Sequence, residues 1–416
     1  MKSSSSSQNP RIVLYSHDTM GLGHVRRNLL LAHAFSKSHF EPDILLMTGI
    51  PEAARFSKPT GVDCVVLPSL YKEKDGAYRS RHLRMSLPEI VELRRKILYT
   101  SISTFDPNVL IVDGVPWGAV NELDLTLEHL HQKGNTICIL GMRDIWDEPR
   151  VIRREWNQRR NNEAIRRYYS QIWIYGDSGV YNAVQEYGLP PDIASKVVYT
   201  GYLNSTTRLD SKLKYEKQSV GVGLSLSNAP FVLCILGGGQ DGIKLAEAFI
   251  NAELPTGSNA IVVTGPHMDS DISERLHRQT EGNRRITVVD FLVEPTQLMQ
   301  YADCVVSMGG YNTICEIMSF GKRALVVPRV IPRKEQLIRA QRMHELGIVD
   351  VLHPDDLAPM AITRWLQYNM GKKPATKVQT SMDGLTRATQ LMESLIMEEN
   401  FMQPNYYDLS GGSRLR

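Results

Sequence analysis

Short apolar runs alternate along this chain with stretches whose apolar residues recur at helical spacing. Such alternation is typical of βα units that build a parallel sheet with helices on both faces. In the first half the pattern predicts strands at 11–16, 43–48, 62–67, 109–113, 136–140 and 172–175, and helices at 25–36, 87–105 and 117–132. In the second half it predicts strands at 231–236, 260–264, 286–289, 304–307 and 324–327, and helices at 243–251, 272–279, 312–320 and 335–346.

A polar stretch at 201–229 interrupts this alternation and is interpreted as a linker between two domains. The predicted fold class is α/β, with two Rossmann-like, doubly wound domains at 11–200 and 230–400 that face a cleft. Residues 1–10 are predicted to be a disordered N-terminus, and 401–416 a loose tail. Because ligands of such sheets bind outside the carboxyl ends of the strands, candidate site residues are those that follow each strand.

Composition and net charge limit the classes of protein to which this chain can belong. The 416 residues are 42% hydrophobic and 22% charged, as in ordinary soluble globular proteins. The net charge of +3 does not favour nucleic acid as a partner. Residues 1–10 lack the apolar core of a secretory signal, and five cysteines without a CxxC pair are expected to be buried thiols. We therefore expect a cytoplasmic protein without a metal site.

A glycine turn follows the first predicted strand, with Gly21 and Gly23 ahead of His24. Arg26 replaces the third glycine of a dinucleotide fingerprint, and the second strand ends at Thr48 rather than at an acidic residue, so the turn does not fit NAD. The start of a helix favours a neutral imidazole, which can act as a general base. A capping or packing role for His24 is the alternative, and the local sequence by itself favours it.

Two glycine-rich turns follow strands of the second half. LGGGQDG, residues 236–242, suits the approach of a phosphate to backbone amides, although it is not a P-loop. In MGGYNTICE, residues 308–316, a helix begins after Gly309 and Gly310. This helix start suits a diphosphate, and Glu316 can take the two hydroxyls of a ribose. Arg333 and Lys334 open another helix, which can also be a capped, solvated charged face.

Taken together, SHDTMGLGHVRR, LGMRDIWDEP, YGD and MGGYNTICE resemble a bacterial branch of the family 28 glycosyltransferases of the GT-B fold. The resemblance implies a UDP-sugar as co-substrate without a further cofactor, and His24 as the base that serves the acceptor. It assigns the diphosphate to the turns at 237–240 and 309–313, the ribose to Glu316, the uracil to Phe291 and Leu292, and the sugar to Glu335 and Gln336. The residues assigned to the diphosphate are Gly237, Gly238, Gly239, Gln240, Gly309, Gly310, Asn312 and Thr313.

The chain also departs from the family pattern. Glu335 stands where the family commonly has glutamine, which leaves the identity of the sugar open, with N-acetylglucosamine as one candidate. Arg143, Asp144 and Trp146 occupy the acceptor-side stretch, and Asp144 is a second catalytic candidate. Asp113, Arg143, Gly21 and Gly23 are expected on the acceptor side.

The expected reaction is an inverting, metal-independent sugar transfer to an acceptor hydroxyl. The alternatives are a sugar-nucleotide hydrolase or epimerase on the same fold, and a non-catalytic nucleotide-binding scaffold. Residues 150–167 carry seven arginines and Trp156, which fits either a contact with anionic lipid or a phosphorylated acceptor, or a solvated helix. The expected partners are therefore a nucleotide-sugar and a lipid-linked or phosphorylated acceptor at the inner face of the membrane. Asp269–Ser270–Asp271 is interpreted as a helix cap rather than a metal motif.

Overall fold

The computed structural model describes residues 9–18, 21–72, 77–208, 229–292, 295–374 and 380–402. Most of the predicted N-terminal segment, linker and tail lies outside the described residues. Within them, no helix is long and apolar enough to cross a membrane.

The first domain is built on a parallel sheet of seven strands in the order β3-β2-β1-β6-β7-β8-β9, with a separate β4–β5 hairpin. The strands are β1 Arg11–Ser16, β2 Asp43–Thr48, β3 Val62–Val66, β4 Leu70–Lys72, β5 Tyr78–Ser80, β6 Val109–Asp113, β7 Ile137–Arg143, β8 Gln171–Tyr175 and β9 Val197–Tyr199. The helices are α1 Gly23–Phe35, α2 Leu87–Phe105, α3 Asp124–Lys133, α4 Pro149–Gln158, α5 Asn161–Tyr168, α6 Ala183–Tyr187 and α7 Pro191–Ala194. Short 3-10 turns lie at Pro51–Arg55, Ala119–Asn121 and Ser205–Arg208.

The second domain repeats this design with six parallel strands in the order β12-β11-β10-β13-β14-β15. Its strands are β10 Phe231–Ile235, β11 Asn259–Val263, β12 Ile286–Val289, β13 Cys304–Ser307, β14 Arg323–Val326 and β15 Asp350–Val351. Its helices are α8 Ile243–Ile250, α9 Ser270–Thr280, α10 Thr296–Tyr301, α11 Tyr311–Ser319, α12 Glu335–Glu345, α13 Pro359–Asn369 and α14 Gly384–Met402. A 3-10 turn lies at Pro354–Asp356.

The buried strands explain why apolar runs predicted the sheets well. All five residues of β6 and of β10 are buried, as expected for parallel strands covered on both faces. The register brings the strand ends together, since Ser16 pairs with both Thr48 and Asp113. The turns that follow β1, β2 and β6 therefore lie side by side at the carboxyl end of the sheet. The five cysteines are free, four of them are buried, and burial raises the pKa of Cys138 to about 12.

Helix α14 returns from the second domain to the first. The Tyr202 amide donates to the Ser381 carbonyl at 2.9 Å, and the Gly384 amide donates to the Tyr202 carbonyl at 3.1 Å. The chains approach so closely that a Cβ on Gly384 would lie 2.4 Å from the Gly201 carbonyl oxygen. Helix α14 then packs on α1, with His39 Nδ1 2.8 Å from Glu393 Oε1. The last helix thus contacts the first domain, although the predicted boundary placed it in the second.

One predicted helix begins later than expected. The pattern predicted a helix over 117–132, but α3 begins at Asp124. Gly118, Val120 and Asn121 have positive φ angles of 70°, 51° and 60°, which interrupt a helix ahead of that residue. The 3-10 turn at Ala119–Asn121 occupies this segment instead.

Candidate active site between the two domains

The glycine turns predicted from the two halves of the sequence meet in the cleft. The Asn312 side-chain amide of α11 donates to the Gly23 carbonyl at 3.0 Å. A Cβ on Gly21 would lie 4.0 Å from the Gly238 Cα atom, so the turn after β1 touches the turn after β10. The structure therefore brings the predicted acceptor-side and donor-side turns to one place.

His24 sits at the centre of this junction, on the first turn of α1. Its Nδ1 lies 3.0 Å from Arg27 Nη2 and 3.4 Å from Asp113 Oδ2, and about a quarter of its side chain is exposed. Gly114 has a φ of 89°, and a Cβ there would lie 3.1 Å from His24 Cε1, so a glycine makes room for the ring. Because Nδ1 faces Arg27 and Asp113, Nε2 is the nitrogen available to a substrate.

Asp113 lies beneath His24 and does not line the cleft itself. Its side chain is fully buried, and Arg27 Nη2 donates to both of its oxygens at 2.8 and 2.7 Å. Burial alone would raise the pKa of Asp113, but Arg27 and His24 hold it well below its usual range. Asp113 therefore stays a carboxylate that orients its neighbours, which corrects its expected place beside the acceptor.

Asp144 also differs from its expected role. Arg339 Nη2 of α12 donates to Asp144 Oδ1 at 2.7 Å, and Tyr202 Oη donates to Asp144 Oδ2 at 3.2 Å. Both side chains of the ion pair are at most 2% exposed. The Asp144 carboxylate is therefore buried and paired, and the structure shows it as a link between the domains rather than as a group that faces an acceptor.

The Tyr311 ring joins these two ion pairs. The Arg27 guanidinium lies 5.4 Å from the ring centroid and the Arg339 guanidinium 5.8 Å from it. Cations that close to an aromatic ring are attracted to its face. Tyr311 thus links the His24 cluster to the Asp144–Arg339 pair.

The turn after β10 has two kinds of glycine. A Cβ on Gly239 would lie 2.6 Å from the Thr264 carbonyl oxygen and 2.8 Å from the Met268 amide, so this glycine is required by packing against the loop after β11. A Cβ on Gly237 would meet nothing within 4 Å, and one on Gly238 only His267. Gly237 and the neighbouring Gln240 are exposed, so the open side of the turn can face a ligand.

Helix α11 begins at the cleft with Gly310 as an N-cap that has no side-chain capping hydrogen bond. Thr313 lies in its first turn and is almost fully buried. One turn later, Glu316 is 2% exposed and accepts a hydrogen bond from Thr296 Oγ1 at 3.1 Å. Thr296 follows Phe291 and Leu292 by five and four residues in the chain.

Gln336 stabilises the turns after β13 and β14. Glu335 binds the segment after β14 and has one carboxylate oxygen without a partner among the described residues. Gln336 Oε1 accepts hydrogen bonds from the amides of Gly309 and Arg329, both at 3.1 Å. Glu335 is 4% exposed and pairs through Oε1 with Arg329, while its buried Oε2 has no partner. An orphan carboxylate oxygen in a cleft is suited to a ligand hydroxyl.

Arg143 lies half-buried at the end of β7. Burial lowers the pKa of Arg143, opposed by Glu335 and reinforced by Arg339 and Arg27. Its neighbours therefore come from both domains, in keeping with a place in the cleft.

Phe291 lines a cavity of about 310 Å³ that both domains enclose. The second domain also contributes Thr264, Gly265 and Asp290, while Glu52 and Arg55 come from the first domain. Phe291, the residue predicted to contact the uracil, therefore lies at a cavity between the two domains.

The basic stretch forms α4 and α5, and Trp156 is not on its surface. The Trp156 ring is 7% exposed and stacks on Trp146 with centroids 4.8 Å apart. Trp156 therefore belongs to the core, and a contact of this stretch with anionic lipid or a phosphorylated acceptor stays a prediction that rests on its arginines. Arg166 and Arg167 pair with Asp192 and Glu128, whose carboxylates neutralise part of the basic charge.

The segment before α12 binds the first domain. Arg333 Nη1 donates to Asp147 Oδ2 at 3.0 Å, and Arg333 Nη2 donates to Glu155 Oε1 at 2.8 Å. The Lys334 amide donates to Asp147 Oδ1 at 2.8 Å. These charges are therefore interdomain contacts and not a solvated face.

The capping interpretation of the acidic motif is confirmed. Asp269 caps α9 by accepting from the amides of Asp271 and Ile272, at 3.0 and 3.4 Å. Among the side chains that the structure describes, no group of three or more His, Cys, Asp or Glu is arranged to hold a metal ion.

Three arginine and tyrosine side chains of the site were missed from the sequence: Arg27, Tyr311 and Arg339. The sequence did indicate Arg27, because it lies one helical turn after His24 and therefore faces the same side of α1. His267 was also missed, although it lies three residues after the end of the strand predicted at 260–264.

Comparison with known proteins identifies the second domain. Residues 232–395 match the family model of the glycosyltransferase family 28 C-terminal domain. The second domain is a glycosyltransferase family 28 C-terminal domain. This confirms the family resemblance drawn from MGGYNTICE, which lies inside the family 28 domain.

Curated relatives of the chain are distant. The UDP-N-acetylglucosamine--N-acetylmuramyl-(pentapeptide) pyrophosphoryl-undecaprenol N-acetylglucosamine transferase of Streptococcus mutans is 32% identical over 125 residues, which are 29% of this chain and 32% of that enzyme. The chain therefore spans about a third of the length of this curated relative.

Solved structures share the fold of the chain over both domains. MurG of Acinetobacter baumannii has a TM-score of 0.52 at 14% identity, covering 94% of this chain and 99% of that one. A putative UDP-N-acetylglucosamine 2-epimerase from Listeria monocytogenes has a TM-score of 0.61 at 13% identity, covering 97% of this chain and all of that one. The predicted GT-B fold of two Rossmann-like domains is thereby confirmed.

Proposed function

We propose that this chain transfers a sugar from a UDP-sugar to the hydroxyl of an acceptor. The observation that carries the proposal is the junction at Asn312 and Gly23, where the donor-side turns of the family 28 domain meet a histidine of the opposite domain. The name of the Streptococcus mutans relative supports UDP-N-acetylglucosamine as a donor to test first.

The donor is proposed to lie on the second domain. The amides of Gly237 and Gly238 and the start of α11 face its diphosphate, where backbone N–H groups and the helix dipole favour negative charge. Glu316 binds the ribose, and Phe291 and Leu292 border the uracil. The orphan oxygen of Glu335 accepts a hydroxyl of the sugar.

The acceptor is proposed to approach His24 from the first domain. His24 Nε2 takes the proton of the acceptor hydroxyl while the oxygen attacks the anomeric carbon from the face opposite the diphosphate. Asp113 Oδ2 lies 3.4 Å from His24 Nδ1, and its negative charge stabilises the imidazolium that forms, as a carboxylate behind a catalytic histidine does. The oxygen of the broken glycosidic bond leaves with UDP, whose charge the glycine amides stabilise. Inversion at the anomeric carbon follows from this single displacement.

A transfer assay tests the proposal. The chain is incubated with UDP-[¹⁴C]N-acetylglucosamine and a bacterial lipid extract, with and without EDTA, and label in the lipid phase is compared with released UDP. We expect label transfer that depends on extract and survives EDTA. UDP release without extract indicates a hydrolase, conversion of the sugar indicates an epimerase, and UDP binding without turnover on any acceptor indicates a scaffold. Membrane contact and a lipid-linked acceptor stay predictions until label is found in lipid.

A further inference from the structure

A second histidine lies at the cleft, on the donor-side domain. His267 belongs to the loop after β11 that packs on the glycine turn 237–239. Its amide donates to the Gly238 carbonyl at 2.9 Å, and a Cβ on Gly238 would lie 3.9 Å from His267 Cδ2. The imidazole therefore stands next to the glycine whose open side can face a ligand.

The His267 ring ends in a buried nitrogen without a partner. Its Nε2 is removed from solvent and has no hydrogen-bond partner among the residues that the structure describes. Buried polar atoms are normally paired, so an orphan nitrogen at a cleft indicates a missing ligand. Burial lowers the pKa of His267, which favours the neutral ring when no anion lies beside it.

The first domain contributes the charges that face this ring. Arg81 further lowers the pKa of His267, while Glu52 opposes this effect. Glu52 has a buried, unpartnered Oε2 of its own and lines the 310 Å³ cavity together with Pro266 and Met268, the two neighbours of His267. Glu52 therefore brings an orphan oxygen of the first domain to a cavity that the two chain neighbours of His267 line.

We propose that His267 is a further ligand of the donor, binding its diphosphate through Nε2 as an imidazolium beside Gly237 and Gly238. The inference rests on the proposed function and adds a binding residue to it. A diphosphate supplies the acceptor oxygen that Nε2–H needs, and its negative charge favours the protonated ring. Binding of the diphosphate is therefore accompanied by uptake of a proton at His267, with Glu52 stabilising the resulting charge.

Calorimetric titration with UDP and with uridine at pH 7.5 tests this inference, because the phosphate groups of UDP are already ionised there. Two buffers with different heats of ionisation report the protons taken up. The variants are His267→Ala, His267→Gln, which keeps an N–H donor, and His353→Ala as a control at an exposed 3-10 turn. Thermal unfolding verifies that each variant is folded.

We expect the wild type to bind UDP more tightly than uridine and to take up a proton with UDP only. His267→Ala should weaken UDP binding by about tenfold or more, as loss of a hydrogen bond to a charged group does, and leave uridine affinity unchanged. His267→Gln should recover part of the affinity without proton uptake, and His353→Ala should match the wild type.

Unchanged UDP affinity in His267→Ala, or an equal loss for UDP and uridine, would overturn the diphosphate assignment while leaving the proposed function intact. Absence of UDP binding by the wild type would overturn the proposed function and this inference with it.

Discussion

Asp144 and Arg339 form a buried ion pair that joins the two domains, with Arg339 Nη2 2.7 Å from Asp144 Oδ1. Burial alone would lower the pKa of Arg339, but the Asp144 carboxylate raises it. The pair is also held by hydrogen bonds from Arg339 to the carbonyls of Gly309 and Ile145, both at 3.1 Å. Each side chain of this interdomain pair therefore neutralises a charge that would otherwise be buried without a counter-ion.

Asp144→Asn is expected to reduce the free energy of unfolding by about 3–5 kcal/mol, because it leaves a buried arginine charge without its counter-ion. Urea unfolding at pH 7 measures this. Arg275→Met is the matched control, since Arg275 and its partner Glu247 are both exposed and both lie in the second domain. Equal stability of Asp144→Asn and the wild type would show that the pair does not hold the interface.

Asp113 predicts how stability depends on pH. Its folded pKa is depressed relative to an unfolded value of about 3.9, so its contribution is present above about pH 4 and is lost as the pH falls further. The stability difference between the wild type and Asp113→Asn should be constant from pH 7 to pH 5 and shrink below pH 4. Thermal midpoints across this range, with Asp355→Asn as an exposed control, measure it. A difference that grows in acid would contradict the assignment.

Glu316→Ala should weaken UDP binding by several fold or more, because a carboxylate that accepts two ribose hydroxyls makes charge-assisted hydrogen bonds. The loss of affinity in Glu316→Ala should be smaller for 2′-deoxy-UDP, which lacks the 2′-hydroxyl, than for UDP. The comparison is made by calorimetry, with Glu335→Gln as the control that keeps UDP affinity and raises KM for the UDP-sugar. Normal UDP affinity in folded Glu316→Ala would remove Glu316 from the site.

His24→Ala is expected to lower turnover by about 10²–10⁴-fold, the usual range for loss of a general base. UDP affinity should change little, because the nucleotide is held by the other domain. Steady-state kinetics and calorimetry on the same preparation separate the two effects. Loss of UDP binding with normal turnover per bound donor would instead make His24 a donor ligand.

The sequence alone predicted the fold and the positions of cleft residues that directly follow strand ends. Both sheets followed from continuous apolar runs such as β6 and β10, and His24, Gly238 and Glu316 followed from their places after strand ends. The buried ion pairs did not follow, since Asp113 and Arg27 are 86 residues apart and Asp144 and Arg339 are 195 apart. A carboxylate at a strand end looks the same in the sequence whether it meets a substrate or an arginine, which is why Asp144 was assigned to catalysis.

The central claim is that the cleft between the two domains holds a uridine diphosphate sugar. A thermal-shift screen of UDP, UDP-N-acetylglucosamine, GDP, ADP and CDP tests it most directly, because a ligand at 100 times its Kd adds about 2.7 kcal/mol to the stability of the folded state. We predict a raised unfolding midpoint with the uridine nucleotides and little change with the others. A midpoint that no uridine nucleotide shifts, or that GDP or ADP shifts more than UDP, would contradict the account.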